Sequence, residues 1–183
     1  MSTVFTVAAT LANTAPAAAP SPSAATAAAT AQPAPPPACL TSEYRQFDFG
    51  IGAWDVVNTK DGTPAGSSLI EKIYRGCTIR ENWNEPDMSG GSLNTYVATD
   101  KQWHQTWTDS QGTWREFVGG LVDGKMVLVW KHPSQKTPGV TVQERMIFTP
   151  NPDGTVRQYS DASKDGTNWI ERYDYTYKPS AKR

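Results

Sequence analysis

The first 38 residues of this 183-residue chain contain no charged side chain. They are almost wholly Ala, Pro, Thr and Ser, which supply too little apolar bulk to offset the entropy of ordering, and the prolines break helices. Ala15 to Ala38 therefore reads as a disordered tether. That leaves Cys39 to Arg183 as the folded unit, an ordinary size for one domain. A basic cluster is missing too: 17 Lys and Arg stand against 18 Asp and Glu, with no stripe of one sign. Nucleic acid needs a concentrated positive surface and is not an expected partner. Beyond the leader, no apolar run approaches the roughly 20 residues of a membrane-spanning helix, so the folded unit is expected to be soluble.

Cysteine and histidine are scarce, two of each. Two cysteines without a neighbouring histidine pair do not make a zinc site, and no metal is expected. Cys39 and Cys77 each stand at the edge of a segment that reads as ordered. The economical reading is a disulfide pinning the lead-in to the start of the third strand; the alternative is two buried thiols in a reducing compartment. Lipid attachment at Cys39 lacks the apolar residues expected before it. The leader "MSTVFTVAATLA" has an apolar run followed by small residues but no basic residue ahead of it. It reads as part of an export signal whose basic start lies upstream, giving a periplasmic or extracellular protein; the alternative is a cytoplasmic protein with a low-complexity leader. Oligomeric state is not readable.

Helical periodicity is also absent over any ten-residue stretch. From Trp54 onward the chain consists of short alternating runs separated by turn signals: Asp-Gly at 61–62, 123–124, 153–154 and 165–166, Gln-Gly at 111–112 and Gly-Gly at 90–91. Asp-Gly supplies the positive φ of tight hairpins, so the connections are expected to be antiparallel. Strands are predicted near 54–59, 67–74, 77–84, 92–98, 102–109, 113–119, 125–131, 141–149, 155–162 and 168–177. About ten strands with uniformly short connections suit an all-β, antiparallel up-and-down barrel, which leaves no open edge. A two-sheet sandwich is the alternative, but it usually needs longer crossovers. One helical turn is expected in "TSEYRQFDF", with Thr41 as its cap and Phe47 plugging a barrel end.

The stretch "FDFGIGAWDVV" has two glycines but no third, no preceding strand and no following helix, so it is not a dinucleotide loop. Its glycines permit close backbone approach where the chain enters the barrel, and Trp54 fills the base. Gly52-Ala53-Trp54 resembles the Gly-x-Trp signature of the calycins, the superfamily of lipocalins and fatty-acid-binding proteins. That resemblance implies that a basic side chain from the last strand packs on Trp54, and Arg172 is the expected one. More closely, 39–183 resembles a little-characterised bacterial family of lipocalin-like domains. The matching pieces are Phe47-Asp48-Phe49, "GCTIRENW" at 76–83, "WHQTWTD" at 103–109, "DGKMVL" at 123–128 and "DGTVRQ" at 153–158. Gly50 and Ala53 depart from it, standing where the family usually has Trp and an acidic residue, so lumen shape does not carry over.

Side chains alternate along a strand, which assigns faces. Cys77, Ile79, Glu81 and Trp83 share one face, as do Ser92, Asn94 and Tyr96. So do Trp103, Gln105, Trp107 and Asp109, and Trp169, Glu171, Tyr173, Tyr175 and Tyr177. Aromatic walls with a few fixed polar groups suit a small-molecule cavity, and the expected lining is Glu81, Trp83, Asn94, Tyr96, Gln105, Trp107 and Gln158. The expected partner is a small organic molecule, moderately polar and aromatic. The plainer alternative is that the aromatics fill the barrel and the polar groups satisfy one another. An enzyme is the second class, with two of Glu81, Asp109, Glu116, Glu144 and Glu171 as acid and base of a hydrolase or isomerase. A third is a protein-interaction module at the cell envelope built on Trp114 and Trp130. Haem on His104 or His132, as in nitrobindin-type calycins, is not expected, because His104 has the wrong parity and His132 falls in the loop "KHPSQKTPG".

Overall fold

The computed structural model describes residues 39–181; the reading of 1–38 as leader and tether lies outside them. The described chain is a closed ten-stranded barrel in which each strand pairs antiparallel with its sequence neighbours and the first pairs with the last. The strands are β1 (Gly52–Asn58), β2 (Pro64–Ile73), β3 (Thr78–Glu85), β4 (Met88–Val97) and β5 (Gln102–Asp109), followed by β6 (Trp114–Val122), β7 (Lys125–Pro133), β8 (Thr141–Pro150), β9 (Val156–Ser163) and β10 (Ile170–Pro179). The meander is up-and-down, and the sandwich alternative falls. The Asp-Gly pairs and Gln111-Gly112 all lie between strands, with their glycines at positive φ.

One end of the barrel is closed from within. Two short 3-10 turns, Ser42–Arg45 and Asp48–Gly50, cross it, and Phe47 packs edge-on against Trp103 and Phe148. Thr41 stands at the N-cap of the first turn without making a capping bond. The Trp103 indole donates to Gln46 Oε1 at 3.1 Å, and the Trp54 indole donates to the Gly50 carbonyl at 3.0 Å. The ring of Trp54 lies back over Gly52, where an added Cβ would sit 3.3 Å from it. A disulfide joins Cys39 to Cys77, the residue before β3, so the plug segment is tied covalently to the barrel wall. Arg45 reinforces this corner by donating to the Cys39 carbonyl at 3.1 Å.

Three expectations are corrected. Gly90-Gly91 is not a turn: both residues lie inside β4, and the hairpin turns instead at Pro86-Asp87. Arg172 does not pack on Trp54, which pairs with Pro179 at the closed end, whereas Arg172 lies near the start of β10 at the opposite end. It lines a shallow surface pocket there with Arg115 and Glu144; the partner of Trp54 on β10 is the ring of Tyr177. Finally, the β9–β10 register shifts between Glu171 and Tyr173. The shift breaks the alternation, so Glu171 and Trp169 do not join Tyr173, Tyr175 and Tyr177 in the lumen.

Candidate functional site

The lumen is built in layers, because inward residues recur every second position along each strand. Nearest the plug sit Ile79, Trp103 and Phe148, all buried. The next layer is polar: Glu81 on β3, Asn94 on β4, Gln105 on β5, Gln158 on β9 and Tyr177 on β10 are all buried. Above it come Trp83, Trp107, Phe117, Tyr173 and Tyr175, and the far end carries Glu85, Asp109 and Arg115. A cavity of about 260 Å3 occupies the upper layers. That is just below the roughly 300–1,000 Å3 of pockets for drug-sized ligands, so it suits a compact molecule.

Of the seven residues expected to line a cavity, Glu81, Trp83, Gln105, Trp107 and Gln158 do so. Asn94 sits deeper, where it accepts from Gln105 Nε2 at 2.8 Å and donates to Ser92 Oγ at 3.0 Å. Tyr96 belongs to the closed end, edge-on to Tyr44 of the plug at 5.2 Å and tilted against Trp103. Parity placed these two correctly on the inner face; what it does not supply is depth along the barrel axis. The residues that pattern reading passed over are Ser68, Met146, Arg115 and Phe117. Ser68 was detectable, since it alternates with Ile70 on β2.

Glu81 is the chemical centre of this floor. It is 7% exposed, with Ser68 Oγ donating to Oε1 at 2.9 Å and Ser92 Oγ donating to Oε2 at 3.1 Å. Tyr177 lies 3.4 Å from the same Oε1, but its hydroxyl is closer to Gln158 Oε1 at 2.7 Å and donates its single proton there. No Lys, Arg or His contacts Glu81 among the described residues. Burial pushes its carboxyl above the ordinary range, against the opposing pull of the hydrogen bonds from Ser68 and Ser92. Gln105 is 3% exposed; it lines the cavity and donates to Asn94.

The aromatic layer is held in place by close cross-strand approach. Trp83 stacks with Tyr175 at 6.0 Å, and Tyr175 with Tyr173 at 5.0 Å. Each cavity tryptophan lies across a glycine of the neighbouring strand: an added Cβ would come within 2.8 Å of Trp83 at Gly66 and within 2.7 Å of Trp107 at Gly90. The Trp107 indole also donates to Asp109 Oδ2 at 3.1 Å. Desolvation at Asp109 works upward, but bonds from Thr113, Trp107 and Gln111 outweigh it and hold the carboxyl below the usual range. Gly90→Val should therefore cost about 1–3 kcal/mol, since the neighbouring Thr108 carbonyl, 2.8 Å from the added Cβ, is backbone and yields poorly. Urea denaturation with near-UV circular dichroism checks this; an unchanged midpoint and tryptophan signal would show that the contact does not constrain Trp107.

The other candidate groups lie elsewhere. Glu116 and Glu171 are exposed, while Glu144 is buried with Arg115 Nη1 3.8 Å from its Oε1. Of the five carboxylates considered for acid–base work, Glu81 and Asp109 share the cavity. His104 faces outward, 2.7 Å from Asp100, and His132 stacks on Trp130 at 3.8 Å; neither lines the cavity. The β6–β7 pairing runs only from Val118↔Val129 to Val122↔Lys125. Beyond it, Trp114, 57% exposed, and Trp130 border an open surface groove. Among the described residues no helix is long and apolar enough to cross a membrane. In comparisons with known proteins, no family model matches the chain and no curated protein matches it.

Proposed function

We propose that this chain is an exported container protein of the lipocalin type, whose barrel binds a compact, moderately polar aromatic molecule. The observation that carries the reading is the cavity itself: a floor of polar side chains fixed by one another beneath a layer of aromatic rings held against glycines. Preset polar groups at the bottom of an apolar well orient a ligand, whereas a barrel that only fills itself has no use for the space. The motif resemblance to bacterial lipocalin-like domains supports the same assignment, and the disulfide is compatible with an oxidising compartment outside the cytoplasm.

The test is mass spectrometry, with an absorbance spectrum, on small molecules released by denaturing the purified disulfide-bonded protein. A stoichiometric aromatic species is the expected result, and Trp107→Ala should lower its occupancy at least about fivefold by removing one wall. Empty protein that also fails to take up any aromatic probe would sink the container reading.

A catalytic use of the same cavity is the second reading, favoured by Glu81. A buried carboxyl held above its ordinary range in a ligand-sized space is the form a general acid requires. On that reading Glu81→Gln keeps ligand binding and abolishes turnover.

A further inference from the structure

Three carboxyl groups line the cavity, Glu81, Glu85 and Asp109, against one guanidinium, Arg115. Arg115 is already beside Glu144, which shares the inner face of β8 with Met146 and Phe148, so its charge is countered. Asp109 is held ionised by its hydrogen bonds and, with Glu85, stands where a ligand enters. An anion would have to pass both carboxylates to reach a floor that offers it no cation. The rings of Trp83, Trp107, Tyr173 and Tyr175 line the space between that entrance and the floor, and aromatic rings attract organic cations. At the bottom Glu81 has hydroxyl donors but no counter-charge, and Gln105, whose amide nitrogen is spent on Asn94, lines the same space and brings a second acceptor, Oε1.

Spacing narrows the class further. Adjacent inward layers are two residues apart, about 7 Å along a strand, and barrel strands tilt by about 40°, so layers are about 5 Å apart along the axis. A cationic head at Glu81 thus sits roughly 5 Å below the centre of the Trp83, Trp107 and Tyr175 layer, the separation that a two-carbon arm sets between a ring and an amine.

We propose that the barrel's ligands are primary arylalkylamines, bound with the ammonium against Glu81 and Gln105 Oε1 and the ring stacked among Trp83, Trp107 and Tyr175. The inference rests on the container reading above and assigns the charge and shape of what is contained. The ammonium supplies the positive charge that Glu81 lacks, and the hydroxyls of Ser68 and Ser92 hold the carboxylate in place.

The experiment is isothermal titration calorimetry of the full chain, oxidised and at neutral pH, with three probes sharing one ring: tryptamine, tryptophol and indole-3-acetate. Tryptamine should bind at least about tenfold more tightly than its neutral isostere tryptophol, with indole-3-acetate weakest. This comparison needs no variant. In Glu81→Gln the preference for tryptamine should disappear while tryptophol keeps its affinity within about threefold. Tryptophol or indole-3-acetate binding as tightly as tryptamine would overturn the amine assignment and leave the container reading standing. A preference for tryptamine that survives in Glu81→Gln would overturn the role of Glu81. No binding of any of the three would overturn the inference, and the container reading falls with it only if the purified protein also releases no small molecule on denaturation.

Discussion

Replacing both cysteines, Cys39→Ser with Cys77→Ser, is expected to lower the melting temperature by about 10–15 °C. The bond closes a loop with a sequence separation of 38, for which the chain-entropy relation gives about 4 kcal/mol at 25 °C. In a domain of this size each kcal/mol moves the midpoint by roughly 3–4 °C. The loss also has a location. The bond ties the segment bearing Phe47 to the wall beside β3, and Phe47 contacts Trp103 and Phe148. The variant should therefore expose Trp103 to acrylamide quenching before global unfolding. A midpoint within about 2 °C of the parent under oxidising conditions would mean that the bond does not constrain the unfolded chain.

Glu81→Gln is expected to stabilise the empty barrel, and only above acidic pH. The sign follows from linkage. The folded-state value lies above the ordinary 4.5 because burial disfavours the charged form, so the folded protein retains a proton that the unfolded chain has already released. The stability this confers is present below the unfolded value, is lost as pH rises through the raised folded value, and stays lost above it. Glutamine carries no charge and escapes the penalty. The variant should thus match or fall below the parent near pH 4 and exceed it by about 4–10 °C near pH 8, from a penalty on the order of 1–3 kcal/mol.

The groups facing Glu81 do not confuse this window. Tyr177 is pushed well above its ordinary range by burial and by Glu81, and Tyr173 is likewise raised, chiefly by burial. Ser68 and Ser92 carry no charge. Scanning calorimetry of both proteins from pH 4 to pH 8 is the measurement, and a difference that does not grow with pH would show that Glu81 pays no desolvation cost. Saturating tryptamine offers a cross-check: it should raise the midpoint of the parent more than that of the variant, because the carboxylate is then paired.

Most of the architecture was legible because it is local. Asp-Gly pairs specify hairpin turns through backbone sterics, and period-two alternation assigns faces without knowledge of any neighbour. The inward set Ile79, Glu81 and Trp83, and the set Trp103, Gln105 and Trp107, came from that alternation alone. The exceptions are informative. Gly90-Gly91 looked like a turn because glycine pairs usually are; here they make room for the Trp107 ring and the Glu81 carbonyl from the strands on either side. Arg172 was misplaced because Trp54 pairs with Pro179, at the other end of β10, and nothing in "WIERYDYTYK" announces that register.

By itself the sequence determined the strand count, the antiparallel meander, the inner faces and the two cysteines available for pairing, since each depends on residue type and short-range spacing. Tertiary structure decided what lies beside what. Ser68 and Ser92 meet on Glu81 because β2 and β4 flank β3 in one register, and Tyr177 and Gln158 join that floor only because β10 closes back on β1. The groups of this floor come from segments up to 96 residues apart, and their alignment is set by the sum of many backbone pairings and by closure of the ring, which no local run of residues encodes.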